Sequence, residues 1–209
     1  MVSTAARGLR ADAAHNADRI MRAAREVYAE SGPEASLEEI AARAGVGIAT
    51  LYRRFPNKAE LVRAALDQTI AEEVIPAIER ALADPDPRQG LATLLGAALT
   101  LVSREHNTLS AAKDSDAITA SVTAPFLESL TELTERAQRA GLVRADVVPD
   151  DVARIVAMLI GVLWTMPPES EGWQRYLGLI LDALSPVGAT TLPPAVPIIP
   201  RQQQPNFPF

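Results

Sequence analysis

The stretch Ser36–Phe55, SLEEIAARAGVGIATLYRRF, constrains the fold more than any other part of the chain. Ser36 with Glu39 three residues later is a capping box, in which each side chain satisfies a backbone N–H that the helix start leaves open. Leu37, Ile40, Ala41 and Ala44 then fall at i, i+3, i+4 and i+7, one apolar stripe on one helical face. Gly45 ends that helix, because a left-handed C′ residue costs glycine nothing. After Gly45-Val46-Gly47 a second helix can run from about Ile48 to Phe55. Helix, tight glycine turn, helix is the spacing of a DNA-reading helix-turn-helix. An ordinary helical hairpin with solvated arginines has the same local pattern.

The second helix sorts its residues by face. Leu51 and Phe55 lie at i and i+4 and can pack inward. Ala49, Tyr52 and Arg53 share another face, flanked by Thr50 and Arg54. A phenol, hydroxyls and guanidiniums on one short helix can meet phosphates and guanine edges.

Composition narrows the rest. Alanine and leucine are abundant, aromatics make up 4%, and no valine- and isoleucine-rich alternating runs occur, so the fold class is all-α. Without cysteine there are no disulfides and no thiolate metal sites. No apolar run is long enough to span a bilayer and no signal-like segment opens the chain, which predicts a cytoplasmic protein without membrane contact. The net charge of −6 is unpromising for a DNA binder, but residues 1–60 carry nine Arg and Lys against eight Asp and Glu. The acidic surplus therefore lies outside the motif, and Arg7, Arg10, Arg53, Arg54 and Lys58 can form a local positive footprint.

Taken in order, residues 1–15 are expected to be a flexible arm, either a frayed terminus or a basic arm reaching a neighbouring groove through Arg7 and Arg10. A first helix is predicted from about Asn16 to Ser31, with Arg19, Arg22 and Arg25 as a solvated face, stopped by Gly32-Pro33. Asn57 can cap the helix that begins at Lys58, placing the lysine beside free N–H groups where a DNA phosphate can sit. Pro76 should kink or end that helix. Asp84-Pro85-Asp86-Pro87 reads as a linker, followed by helices over about 90–105 and 122–140. Between them, His106, Asn107, Lys113, Asp114 and Asp116 read as a solvated loop or short helix, because their spacing fits no standard metal-ligand pattern.

The last two helices, about 150–184, are the most apolar. They suit either the monomer core or a two-fold pairing of copies. Residues 186–209 are proline-rich and should form an extended tail.

GVGIATLYRRFPNKAEL, preceded by SLEEIAARA and by an amphipathic helix ending AESG, resembles the N-terminal domain of the TetR family of transcriptional regulators. The matching residues are Thr50, Leu51, Tyr52, Phe55 and Lys58, and the resemblance covers roughly Ala17 to Leu66. Ala49 stands where the family often has glycine, and Arg54 where it often has histidine. The resemblance implies a DNA-binding domain over 16–75 and a helical effector-binding and dimerisation domain over 76–185. The implied function is that of a regulator, more often a repressor, released from a palindromic operator by a small-molecule effector. Implied DNA contacts are Ser36, Ile48, Ala49, Thr50, Tyr52, Arg53, Arg54 and Lys58. A homodimer through the last two helices is implied too. Apolar pocket candidates are Leu95, Leu99, Phe126, Leu130, Met158 and Trp164, which suit an apolar ligand. No cofactor or metal is expected. The rivals are a helical dimeric interaction protein that no longer binds DNA specifically, and a helical enzyme, for which no nucleophile–base pair or phosphate loop is found.

Overall fold

The computed structural model describes residues 4–114, 120–167 and 170–197. Among these no strand occurs, and the helices are α1 (Thr4–Ser31), α2 (Leu37–Ala44), α3 (Ile48–Arg54), α4 (Lys58–Thr69), α5 (Ile75–Ala83), α6 (Pro87–Arg104), α7 (His106–Asp114), α8 (Ala120–Arg139), α9 (Pro149–Leu163) and α10 (Trp173–Ala183). The chain forms two compact units, Met1–Ala77 with Thr100–Pro125, and Ile78–Leu99 with Phe126–Phe209.

The first unit is built on the stripes read from the sequence. Ile20, Ala24 and Tyr28 of α1, Ile40 of α2, Leu51 of α3, and Leu61 and Val62 of α4 are completely buried in one cluster. Burying aliphatic side chains of this size stabilises by about 1.5–3 kcal/mol each before conformational entropy is counted. Ala111 and Ala112 of α7 join the same cluster, although they lie far along the chain. The stretch between the two predicted long helices is thus a short helix packed into the core of the first unit, so that unit extends beyond the boundary expected at 75/76. Asp116 lies outside the described residues. Asn107 Nδ2 donates to the Ala29 carbonyl at 3.3 Å, and the buried Glu105 carboxylate lies 3.3 Å from Arg25 and accepts from the Thr108 hydroxyl at 3.1 Å.

Three expectations are corrected here. The first helix begins at Thr4, so residues 4–15 are not a separate arm and the helix does not start at Asn16. The segment is alanine-rich and holds no helix breaker other than Gly8, so propensity carries the helix upstream. Pro76 does not end the α4 helix. Ile70–Val74 forms a π turn, with the Ile75 N–H returning to the Ile70 carbonyl, and helix resumes as α5. A π turn immediately before the proline absorbs its missing donor and crowded ring. Pro87 is not linker: it opens α6, and Asp86 Oδ1 accepts from the Arg88 N–H at 2.9 Å as an N-cap.

In the second unit, Leu91, Leu94, Leu95 and Leu99 of α6 and Leu130, Leu133 and Ala137 of α8 are buried, as are Val152, Leu159, Leu163, Trp173 and Leu177 of α9 and α10. Gly90 allows the closest approach: a Cβ there would lie 2.6 Å from the Ala81 carbonyl oxygen and 2.8 Å from Leu133 Cδ2. Arg136 closes the end of α5 by donating to the carbonyls of Leu82 at 2.7 Å and Asp84 at 3.0 Å. Residues 185–197 contain no helix or strand, as their prolines dictate. They are not without attachment, since Arg144 donates to the Thr190 carbonyl and the Leu192 N–H to Asp146 at 3.4 Å. The rest of the expected tail, 198–209, lies outside the described residues.

Candidate nucleic-acid interface

The motif forms as its caps require. Glu39 N–H donates to Ser36 Oγ at 3.2 Å, and the Ser36 N–H donates to Glu39 Oε2 at 2.8 Å. The Ser36 hydroxyl also donates to Glu39 at 2.9 Å, so it is committed within the capping box. The backbone bond from Ser36, followed by that hydroxyl, holds the Glu39 carboxyl below its ordinary value. Gly45 takes φ 63° and ψ 38°, and its N–H returns to the Ala42 carbonyl at 3.1 Å while Val46 returns to Ala41 at 3.0 Å. These two bonds are the crossed pair of a Schellman ending.

Gly47 starts α3 without a side-chain cap, and Leu51 and Phe55 root the helix in the core. The remaining surface of α3 faces out. Ile48 is 37% and Tyr52 46% exposed, Ala49, Arg53 and Arg54 are exposed, and Thr50 is half-buried. Among the described residues neither Arg53 nor Arg54 makes a hydrogen bond or ion pair, although the Arg54 guanidinium lies 5.8 Å from the Phe55 ring centroid. Six of the eight residues expected to contact DNA therefore share one short helix, exposed or half-exposed.

The other two are placed differently. Ser36 is occupied as described. Lys58 is half-buried, donates to the Pro33 carbonyl at 2.6 Å, and stands 5.6 Å over the Tyr28 ring. It ties the start of α4 to the turn between α1 and α2. Asn57 caps α4 by accepting from the Glu60 N–H at 2.9 Å. The Tyr28 hydroxyl beneath is buried with no hydrogen-bond partner among the described residues, and burial pushes it up to about 12.

The solvated face expected of α1 breaks up. Arg22 is exposed, but Arg19 donates to the Ala44 carbonyl at 2.6 Å. Arg25 lies 3.9 Å from both Glu72 and Glu73 in addition to Glu105. Sequence periodicity missed both roles, because their partners are 25 or more residues away. The one signal for Arg19 was its place on the α1 turn just before the buried Ile20. Arg43 is also committed, to Glu30 and, at 3.6 Å, to Glu26.

Of the pocket candidates, Leu95, Leu99 and Leu130 are buried in the core of the second unit and Phe126 is half-buried. Met158 and Trp164 are 57% and 47% exposed and line no interior. Their helix is apolar on more faces than its unit covers, which is why periodicity could not separate pocket from surface. Among the described residues no group of His, Cys, Asp or Glu gathers as a metal site, and no helix is long and apolar enough to cross a membrane.

An all-helical chain with a capped helix-turn-helix and an outward-facing second helix is, as a class, a DNA-binding transcriptional regulator. Residues 20–65 match the family model described as bacterial regulatory proteins of the tetR family, and residues 86–186 match the C-terminal domain described as transcriptional regulator SbtR-like. The chain belongs to the TetR family. It is 30% identical to the TetR transcriptional regulator SCO0520 from Streptomyces coelicolor, covering 81% of this chain and 98% of that one with a TM-score of 0.60. It is 31% identical to a TetR transcription regulatory protein from Mycobacterium vanbaalenii, covering 85% and 99% with a TM-score of 0.58. AibR, solved with isovaleryl coenzyme A and operator DNA, shares the fold at 20% identity, covering 82% and 98% with a TM-score of 0.59. Among curated proteins none matches.

Proposed function

We propose that this regulator binds a roughly palindromic operator as a homodimer and releases it when a small, largely apolar effector occupies the second unit, so that it acts as a repressor. The observation that carries the reading is α3. Its inner side is pinned by Leu51 and Phe55, while Ile48, Ala49, Tyr52, Arg53 and Arg54 are exposed and the side chains of Tyr52, Arg53 and Arg54 make no hydrogen bond or ion pair among the described residues. Ile48, Ala49 and Arg53 are assigned to base edges, and Thr50, Tyr52 and Arg54 to phosphates. Lys58 is assigned to hold the α4 N-terminus in place, where its amides add a phosphate contact. Two copies of α3 have to enter successive major grooves, about 34–36 Å apart.

The dimer reading is supported by the surface of α9 and α10, where Met158, Trp164, Tyr176 and Leu179 are exposed large apolar side chains on two helices that pack together. AibR was solved with isovaleryl coenzyme A, which makes acyl thioesters with a short branched apolar part a fitting first class to screen. By linkage, operator DNA then weakens effector binding by the same factor as effector weakens operator binding.

The test is polarisation titration of the purified protein on intergenic DNA beside its own gene, at physiological salt with excess random duplex. Two protomers per specific site support the reading. No preference over random DNA, followed by an empty genome-wide DNA selection, would leave the dimeric interaction protein as the better account.

A further inference from the structure

We propose that Arg19 is a positioning residue for DNA recognition: reaching from α1, it grips the turn between α2 and α3 and sets the direction in which the reading helix leaves that turn. This rests on the operator-binding reading above and deepens it.

The N–H groups of Gly45 and Val46 satisfy the carbonyls of Ala42 and Ala41. The carbonyls of Ala44 and Gly45 come next. Arg19 Nη2 donates to the first at 2.6 Å and approaches the second at 3.4 Å. A charged donor here complements the negative end of the α2 dipole as well as the bare carbonyl. Among the described residues Arg19 makes no ion pair, so this carbonyl bond is the main fixed engagement of its guanidinium. Only Gly45-Val46-Gly47 separates α2 from α3. Holding the first of these carbonyls to α1 leaves few dihedrals through which α3 can swing.

Gly45 fits the same design. Its φ of +63° disfavours a side chain, and a Cβ would stand 2.8 Å from Arg19 Nη2. A methyl there would push the guanidinium off its carbonyls. Arg19 also borders an open notch of about 410 Å³ with Arg22, Glu26 and Arg43. A phosphate entering from solvent is therefore the rival role for Arg19, and the two roles differ in salt dependence.

The experiment uses the full chain, an operator selected with the wild-type protein, and a random duplex, titrated over a series of salt concentrations. Thermal melts are recorded in parallel. Arg19→Ala is expected to lose operator affinity about tenfold, the size of one charge-assisted hydrogen bond. Its random-duplex affinity and salt slope should stay at wild-type values. Arg19→Lys keeps one donor and should fall between the two. Gly45→Ala should reproduce the loss of preference, and the double variant should lose no more than Gly45→Ala alone.

An equal loss on both DNAs with the salt slope reduced by about one unit would make Arg19 a phosphate contact and overturn the inference. Wild-type preference in folded Arg19→Ala would overturn it too. If Arg19→Ala melts below the assay temperature, Arg19→Lys and Gly45→Ala carry the same comparison. A wild-type protein with no operator preference would overturn the regulator reading and this inference with it, before any variant is made.

Discussion

The outer face of α3 and the seam joining α1, α2 and α4 both carry basic side chains, and they use them in opposite ways. Arg53 and Arg54 stand exposed with no hydrogen bond or ion pair among the described residues. Arg19 and Lys58 each donate at 2.6 Å to a turn carbonyl, of Ala44 and of Pro33. On the proposed reading, the first pair meets DNA and the second pair holds the turns around it. Charge alone does not identify a DNA contact. What separates the two sets is whether the side chain is already anchored: Arg19 and Lys58 each hold a turn carbonyl, whereas Arg53 and Arg54 hold none among the described residues.

The comparison can be broken most severely from beneath. Leu51 is completely buried under the reading face. Leu51→Ala should cost about 2–5 kcal/mol of stability, read in chemical denaturation, and take operator binding with it. Next, Arg53→Ala should relax sequence preference by about 1–3 kcal/mol at the base pair it meets, measured by binding to single-substitution operators. Arg54→Ala should instead weaken all duplexes alike and reduce the salt slope by about one unit.

Lys58→Ala sharpens the distinction. As a frame residue it should lower the melting temperature and operator affinity with little change in salt slope. A fall of about one unit in the slope would show that its ammonium reaches a phosphate as well.

Tyr28 tests the seam from the other side. Its buried hydroxyl finds no partner among the described residues, so Tyr28→Phe should be neutral or stabilising by about 1 kcal/mol. Its folded pKa is raised, from 10 to about 12. The neutral phenol is therefore favoured by folding. Stability linked to it is fully present below pH 10 and is lost as pH rises toward 12. An alkaline unfolding titration should show that loss in the wild type and not in Tyr28→Phe. Ser36→Ala should cost about 1 kcal/mol from the capping box, with an unchanged salt slope because its hydroxyl is already occupied.

Much of the reading surface was legible locally. The capping box, the glycine stop, the buried Leu51 and the exposed Tyr52, Arg53 and Arg54 all follow from spacings of seven residues or fewer. Periodicity does not show what Arg19, Arg25 and Lys58 bond to, because Ala44, Glu105 and Pro33 are distant in the chain. Met158 and Trp164 were offered as pocket because a wide apolar stripe does not say which of its sides is covered.

The chain by itself determined the helix-turn-helix, its caps and the order of its helices, since each depends on interactions within a turn or two of helix. Tertiary structure alone decided that α7 closes the core of the first unit, that the helix passes Pro76 through a π turn, and that Arg19 and Lys58 donate to the carbonyls of Ala44 and Pro33. Those outcomes turn on which carbonyls and apolar faces packing leaves unsatisfied, and that is settled only when distant segments meet.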